Sequence, residues 1–246
     1  MNFPVYLRVG SIRIHPHIFF EATAYAIAFG LFFLGRRRQG DPISVDFRWW
    51  VIAAAVAGAA LGCRLLGWLE SPRLDLPTTG KTIVGGLAGG LIAVELVKQR
   101  FSVTSATGDL FAIPLAVGIA IGRVGCFLTG LSDGTYGNPT SLPWGVDFGD
   151  GIARHPTQLY EIAFAAMLVL CLFAFSRRPH AQGDVFKVFM ISYMAWRLLV
   201  DFVKPANRVF GVSPIQVVCL LILIYYSRHF VRIAKSFGRH GVFAAG

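Results

Sequence analysis

The chain has 246 residues, of which 55% are hydrophobic and 15% are charged, and its mean hydropathy is +0.60. This composition excludes an ordinary soluble domain and predicts an all-α polytopic membrane protein. The net charge of +10 does not indicate a nucleic-acid-binding protein, because the Lys and Arg residues lie in short clusters between apolar stretches, as in the cytoplasmic loops of membrane proteins.

Seven apolar stretches predict about seven transmembrane helices, which form a single transmembrane domain over residues 1–246. They lie near residues 17–34, 49–69, 82–97, 108–130, 157–175, 184–203 and 213–231. Basic residues follow the odd-numbered stretches at Arg36, Arg37, Arg38, Lys98, Arg100, Arg177, Arg178 and Arg228. Because cytoplasmic loops are rich in Lys and Arg, we expect the N-terminus outside and the C-terminus in the cytoplasm.

The first three stretches carry few candidate ligands. His15 and His17 are close enough to share a metal ion, but no third ligand is evident, so we expect no metal site and no cofactor. Several glycines lie four residues apart in the apolar stretches. The pairs are Gly58/Gly62 in the second stretch, Gly85/Gly89 and Gly86/Gly90 in the third, and Gly118/Gly122 in the fourth. This spacing lets helix backbones approach closely in lipid, and packing is the interpretation that we favour.

A polar cluster follows the fourth stretch and a long outer loop. The loop, residues 131–154, is rich in Gly, Pro, Asp and Asn, and we expect it to act as a lid or small head. Residues 154–161 then read R-H-P-T-Q-L-Y-E at the beginning of the fifth stretch. Polar side chains are costly to bury there, so this cluster is expected to perform chemistry or hold a site together.

Three arginines, Arg64, Arg123 and Arg197, lie in three different apolar stretches, each toward the outer half of the membrane. An ionisable side chain in a bilayer costs at least about 2.5 kcal/mol unless it is paired or hydrated. The guanidinium group binds phosphate or carboxylate bidentately and keeps its charge when buried. The arginines therefore predict a site for an anionic lipid headgroup. The alternative is that each pairs with an acidic residue, as Arg197 would with Asp201.

Four segments resemble the bacterial prolipoprotein diacylglyceryl transferase family. They are residues 62–64 (G-C-R), residues 122–125 (G-R-V-G), the R-H-P-T-Q-L-Y-E segment, and residues 193–204, which resemble the family's Tyr-x-x-x-Arg-x-x-x-Glu-x-x-Arg stretch. The resemblance implies an inner-membrane enzyme, with its active site toward the outer leaflet, that transfers the diacylglyceryl group of phosphatidylglycerol to a cysteine thiol and releases glycerol phosphate.

The resemblance also implies roles for individual residues. Arg123 and Arg197 would bind the headgroup phosphate, with Arg64 in support. Tyr193 and Asp201 would orient it, and His155 would lie at the outer mouth of the site. We also expect three residues of the 154–161 segment, Arg154, Gln158 and Tyr160, to contact the donor lipid.

The sequence departs from the family pattern at positions that concern the acceptor and the chemistry. Val84 stands where the family has the histidine of His-Gly-Gly, Cys126 replaces an Asn, Leu131 a Glu, and Lys204 an Arg. We therefore interpret the chain as a divergent paralogue that uses phosphatidylglycerol or a similar anionic lipid with another acceptor, namely a lipid, glycan or small molecule. Two alternatives stay open: authentic transfer to a prolipoprotein thiol, and a non-enzymatic phospholipid-binding or lipid-transport protein.

Six residues are candidates to replace the missing histidine, and Lys81 and His17, near the outer surface, rank last among them. His155 is the first, since an unperturbed pKa near 6.5 suits proton transfer, although it could instead hydrogen-bond Tyr160. Glu161 could act as a base after desolvation, or form a salt bridge to Arg123 or Arg154, which we favour. Asp133 could act from solvent, and Cys126 as a covalent nucleophile.

Overall fold

A computed structural model describes residues 3–70, 80–208 and 210–240, with residues 9 and 230–240 described by their backbone only. This part of the chain is mostly helical. Its α-helices are α1 (Pro16–Gln39), α2 (Val45–Glu70), α3 (Ile83–Arg100), α4 (Asp109–Thr129), α5 (Thr157–Ser176), α6 (Asp184–Val200) and α7 (Pro214–His240). Each helix coincides with one apolar stretch of the sequence. Short 3-10 helices, Gly130–Asp133 and Asp201–Val203, follow α4 and α6.

Among the described residues, four helices are long and apolar enough to cross a membrane. They are α1, α2, α5, and α4 together with its 3-10 extension as Asp109–Asp133. In α7 the apolar part is shorter, Pro214–His229. A helical membrane protein is therefore confirmed, whereas the number of seven spans and their orientation stay predictions.

The structure also contains two short β-hairpins, which the all-α prediction did not include. In the first, β1 (Leu7–Val9) pairs with β2 (Ile12–Ile14) in antiparallel register, Leu7 opposite Ile14. In the second, β3 (Val146–Asp147) pairs with β4 (Ala153–Arg154), Val146 opposite Arg154. The second hairpin lies in the loop of residues 131–154, which thus has a defined local structure.

The contacts divide the chain into two compact units. Unit 1 comprises Met1–Pro42, Leu110–Pro179 and Leu199–Ala206, and so contains α1, almost all of α4, and α5. Unit 2 comprises Ile43–Asp109, His180–Leu198 and Asn207–Gly246, and contains α2, α3, α7 and most of α6. The single transmembrane domain expected from the sequence stays a prediction.

Helix starts in unit 2 follow from side chains that accept hydrogen bonds from the first free backbone amides. At α6, the carboxylate of Asp109 accepts from the amides of Gly183 (2.6 Å) and Phe186 (3.0 Å). At α7, the Ser213 hydroxyl accepts from the Gln216 amide while the Gln216 side chain accepts from the Ser213 amide. The second arrangement is a reciprocal capping box, which satisfies two donors that a helix otherwise leaves free.

Close packing of α2 against α3 confirms the packing interpretation for Gly58/Gly62 and Gly85/Gly89. A Cβ atom added to Gly62 or to Gly85 would overlap the carbonyl oxygen of the other residue, and Gly58 and Gly89 face each other in the same way. Only glycine fits where two helix backbones are this close. The pair Gly118/Gly122 differs, because a Cβ at Gly122 would meet no described atom within 4 Å.

A second close approach joins α1 to α4 in unit 1. A Cβ atom at Gly125 would lie 2.8 Å from the Cβ of Phe20 and 3.3 Å from the Cα of His17. The glycine that ends the G-R-V-G segment therefore allows the first turn of α1 to lie against α4. This contact brings His17 beside Cys126, the residue that follows Gly125.

Candidate active site

A buried ion pair joins two of the predicted site residues. Arg123 on α4 and Glu161 on α5 have an Nε–Oε2 distance of 2.9 Å, and their side chains are 8% and 2% exposed. Mutual neutralisation is what permits two charges to be this deeply buried. The salt bridge that we favoured for Glu161 is thus present, and its partner is Arg123.

The Arg123–Glu161 pair lies among other buried polar groups at the beginning of α5. The Thr157 hydroxyl donates to the backbone carbonyl of Thr135 at 2.6 Å. Gln158 is only 1% exposed, and among the described residues neither atom of its amide has a hydrogen-bond partner. Buried amides are nearly always hydrogen-bonded, so an unsatisfied one is a candidate for contact with a ligand.

His155 is half-buried and contacts Tyr160, which lies five residues further along the same segment. Its Nδ1 lies 3.2 Å from the hydroxyl of Tyr160, which also accepts a hydrogen bond from the indole N–H of Trp144 at 2.8 Å. The hydrogen bond to Tyr160 that we weighed as an alternative role is therefore present. Because it occupies Nδ1, Nε2 is the ring nitrogen that remains to meet a substrate.

The backbone of His155 is fixed by the loop of residues 131–154. Its amide donates to the carbonyl of Asn138 (3.1 Å), and its carbonyl accepts from the amide of Gly137 (2.9 Å). A Cβ at Gly137 would lie 2.6 Å from the Cβ of His155, so only glycine allows this contact. The loop therefore holds the backbone of His155 in position.

Arg154 has partners in the loop. Its guanidinium binds the Asp150 carboxylate through two contacts of 2.7 Å and lies 5.0 Å from the ring centre of Tyr136. The guanidinium holds the pKa of the Asp150 carboxyl below its ordinary value, since it stabilises the charged form. These contacts give Arg154 a structural role in the hairpin, and its predicted contact with the donor lipid stays a prediction.

The other predicted site residues are distributed between the two units. Tyr193 and Arg197 are buried on α6 in unit 2, where the Tyr193 ring stacks on Phe189 at 6.0 Å. Arg64 belongs to the same unit and is exposed. Asp201 is buried in unit 1. The meeting of Arg64, Arg123 and Arg197 around one headgroup stays a prediction.

Sequence reasoning missed a cluster of His17, Cys126 and Asp133 in unit 1. The Nδ1 of His17 lies 2.9 Å from Oδ1 of Asp133, and one ligand atom from each of the three residues lies within 4.8 Å of the others. Asp133 was expected to act from solvent, but its side chain is only 6% exposed. The signals in the sequence were a histidine at the first helix and a cysteine in place of the family's asparagine.

A family model decides what the chain is related to. The model for prolipoprotein diacylglyceryl transferase matches residues 4–245. The chain belongs to this family. This match confirms two predictions from the sequence, namely the family resemblance and a membrane transferase.

Curated members of the prolipoprotein diacylglyceryl transferase family are similar over most of their length. Three of them, each named phosphatidylglycerol–prolipoprotein diacylglyceryl transferase, are 32% identical to the chain. They come from Bordetella bronchiseptica (228 residues, 85% of this chain and 84% of the relative), Cupriavidus metallidurans (236 residues, 87% and 84%) and Geobacter sulfurreducens (222 residues, 85% and 84%).

Two positions at which the sequence is predicted to depart from the pattern of the prolipoprotein diacylglyceryl transferase family lie in different surroundings. Val84 is 1% exposed at the beginning of α3, next to the glycine contact with α2. A valine side chain packs there and cannot take a proton. Cys126 is buried on α4, where Nη1 of Arg123 donates to its sulfur at 3.8 Å.

Proposed function

We propose that this family member transfers the diacylglyceryl group of phosphatidylglycerol to the cysteine thiol of a prolipoprotein, releasing glycerol phosphate. The observation that carries the proposal is the buried ion pair of Arg123 and Glu161, which links the two motifs on which the family resemblance depends most. Relatives named for this reaction match 85% or more of the chain. They favour this acceptor over the different one that we inferred from the sequence.

In this proposal the donor phosphate is bound by guanidinium groups. Arg123 and Arg197 bind it, Arg64 assists at the exposed side, and Tyr193 and Asp201 orient it. A guanidinium has five N–H donors, so an ion pair through Nε is compatible with phosphate binding along its other edge. The unsatisfied amide of Gln158 adds a neutral donor and acceptor for the lipid.

The reaction is a displacement at the glycerol carbon that carries the phosphate. The thiol sulfur forms a bond to this carbon, the carbon–oxygen bond breaks, and the electron pair leaves on glycerol phosphate. Guanidinium groups held by the protein stabilise the leaving charge without having to reorganise. Glu161 holds Arg123 in place for this task, and so acts as a positioning residue rather than as the base.

His155 is the proposed general base, through Nε2. Acting as a base requires that Nδ1 carry the proton and donate it to Tyr160, whose oxygen accepts two hydrogen bonds. Trp144 supplies the other of these. Tyr160 therefore selects the histidine tautomer that is able to take the thiol proton.

The membrane setting extends the same proposal. All seven helices cross the bacterial inner membrane as one transmembrane domain, with the N-terminus outside and the active site toward the outer leaflet. The basic residues after α1, α3 and α5 support this orientation. The loop of residues 131–154, which fixes the backbone of His155, covers the site as a lid.

A second candidate function is transfer from the same phospholipid to a lipid, glycan or small molecule. Val84, Cys126 and Leu131, which replace polar residues of the family pattern, favour it, because all three changes concern the acceptor side. A non-enzymatic lipid-binding protein is the third possibility, which a turnover measurement separates from the other two.

The test uses the purified full chain, phosphatidylglycerol labelled in its headgroup, and a peptide with a prolipoprotein cysteine. We expect labelled glycerol phosphate and a peptide heavier by one diacylglyceryl group, in equal amounts. Arg197→Ala should abolish both products. Arg37→Ala, which removes an exposed arginine at the C-terminal end of α1, is the control and should retain both products. Glycerol phosphate without peptide product would support the second candidate. Lipid binding without any turnover would contradict both.

A further inference from the structure

We propose that His17, Cys126 and Asp133 form a divalent transition-metal site of the zinc type in unit 1. The three residues supply an imidazole, a thiolate and a carboxylate, which are the ligand classes that Zn²⁺ prefers. They come from different elements, the first turn of α1, the end of α4, and the 3-10 helix that follows α4. The sequence shows only one of them as a recognisable metal ligand.

The distances are close to those around a shared ion. Ligands of a tetrahedral zinc ion, at bond lengths of about 2.0–2.3 Å, lie about 3.3–3.6 Å from one another. The His17 and Asp133 atoms are 2.9 Å apart, so they would separate by about 0.5 Å around an ion. All three ligand atoms lie within 4.8 Å of one another, and small movements of the side chains would place them around one ion.

Two of the three ligands, His17 and Asp133, also have partners that orient them, as in known zinc sites. On the far side of the His17 ring, Nε2 lies 3.5 Å from the carboxylate of Glu21, which accepts a hydrogen bond from Tyr25 at 2.9 Å. The second carboxylate oxygen of Asp133 accepts from the Thr135 hydroxyl at 2.5 Å. A histidine whose outer nitrogen faces a carboxylate presents the other nitrogen to a metal.

The charges around the cluster favour a bound cation. A thiolate and the Asp133 carboxylate together carry two negative charges, and the Glu21 carboxylate lies 3.5 Å from the other side of the His17 ring. The nearby cation, Arg123, pairs with Glu161 and donates to the Cys126 sulfur. A dication bound by the three ligands would offset this excess of negative charge.

Three protein ligands leave a fourth position, as in catalytic zinc sites. Resting on the proposed function, we infer that this position binds the thiol of the acceptor cysteine. Metal binding lowers the pKa of the acceptor thiol, so its proton passes more readily to Nε2 of His155, the proposed base. The resulting thiolate then forms the bond to the glycerol carbon as glycerol phosphate leaves. The metal would thereby assist His155 in a chain that has Val84 in place of the family's histidine.

The test is cobalt substitution of the purified full chain in detergent, followed by absorption spectroscopy. We expect about one metal ion per chain after dialysis, visible bands of tetrahedral Co²⁺, and a near-ultraviolet sulfur-to-cobalt band that added Zn²⁺ removes. Cys126→Ser should abolish the sulfur band, and Asp133→Asn should weaken metal binding at least tenfold. Cys171→Ser, an exposed cysteine elsewhere on α5, is the matched control and should retain the spectrum.

The outcomes separate the site from its role. A wild-type chain without the sulfur-to-cobalt band would overturn the site, and so would an unchanged band in Cys126→Ser; the first result requires no variant to fold. If the band is present, a prolipoprotein peptide should shift the visible bands. A cobalt spectrum that the peptide leaves unchanged would overturn the role in acceptor binding only. Failure of the turnover assay would contradict the proposed function and leave the metal spectrum unaffected.

Discussion

At the scale of single residues, the buried pair of Arg123 and Glu161 combines two demands. The lipid headgroup requires a buried cation, and the buried cation requires an anion. The pair satisfies both because Glu161 binds Arg123 at Nε, and a guanidinium has further N–H donors with which to bind phosphate. Stability and activity should therefore respond differently to substitution.

Variants of this pair separate the two demands. Glu161→Gln should destabilise the protein by about 3 kcal/mol, because it leaves the Arg123 charge buried without its anion. The double variant Arg123→Met, Glu161→Leu should regain much of that stability, since neither charge remains. Thermal unfolding in detergent measures stability, and glycerol phosphate release measures activity. We expect the double variant to be folded but inactive; an active double variant would refute the role of Arg123.

The contact between His155 and Tyr160 allows a sharper test of the base. Tyr160→Phe removes the oxygen that accepts from Nδ1, so the correct tautomer loses its stabilisation. We expect kcat to fall about tenfold, which is less than the roughly 10²–10⁴-fold that general base catalysis contributes in full, while the KM for the donor lipid is unchanged.

Two further variants provide the controls for Tyr160→Phe. Because Tyr160 acts through His155, kcat should fall further in His155→Ala than in Tyr160→Phe. Trp144→Phe removes only the indole donor to Tyr160 and should have the smallest effect on kcat. Full kcat in His155→Ala would show that another group takes the proton.

At the scale of secondary structure, the contact between α2 and α3 depends on glycine. Gly62→Ala places a methyl group against the carbonyl oxygen of Gly85, and the helices must separate to accommodate it. We expect a loss of about 1–3 kcal/mol, as for other overpacked positions, measured by thermal unfolding. The matched control is Gly30→Ala on α1, where no described atom lies within 4 Å of the added Cβ; it should be neutral or slightly stabilising. Equal effects of the two variants would contradict the close approach.

The elements that could be predicted from the sequence are those with a strong local pattern. Helices α1 to α7 coincide with apolar stretches of about 20 residues, a signal that depends only on composition. The glycine spacing likewise predicted the packing of α2 against α3. The hairpin of β3 and β4 was missed because strands of two residues leave no periodic pattern among the polar residues of a loop.

The candidate site was predictable only in part, for a related reason. The motif residues Arg123 and Glu161 were identified, and so was their salt bridge, since opposite charges in adjacent apolar stretches must compensate each other. The cluster of His17, Cys126 and Asp133 was missed, because contact between residues more than a hundred positions apart in the chain depends on the packing of α1 against Gly125.

At the scale of the whole molecule, the residues proposed to bind the donor are spread along the chain. Arg123 and Asp201 belong to unit 1, whereas Arg64, Tyr193 and Arg197 belong to unit 2. The central claim of the proposed function is that guanidinium groups from separate helices bind the same phosphate.

A double-mutant cycle on donor affinity tests that claim most directly. Phosphatidylglycerol binding is measured for the wild type, Arg123→Lys, Arg197→Lys and the double variant, since lysine keeps the charge but loses the bidentate geometry. If both arginines bind one phosphate, we predict that the effects on binding are coupled by about 0.5–3 kcal/mol. Effects that add to within about 0.3–0.5 kcal/mol would mean that the two side chains act independently. That result would contradict a shared headgroup site.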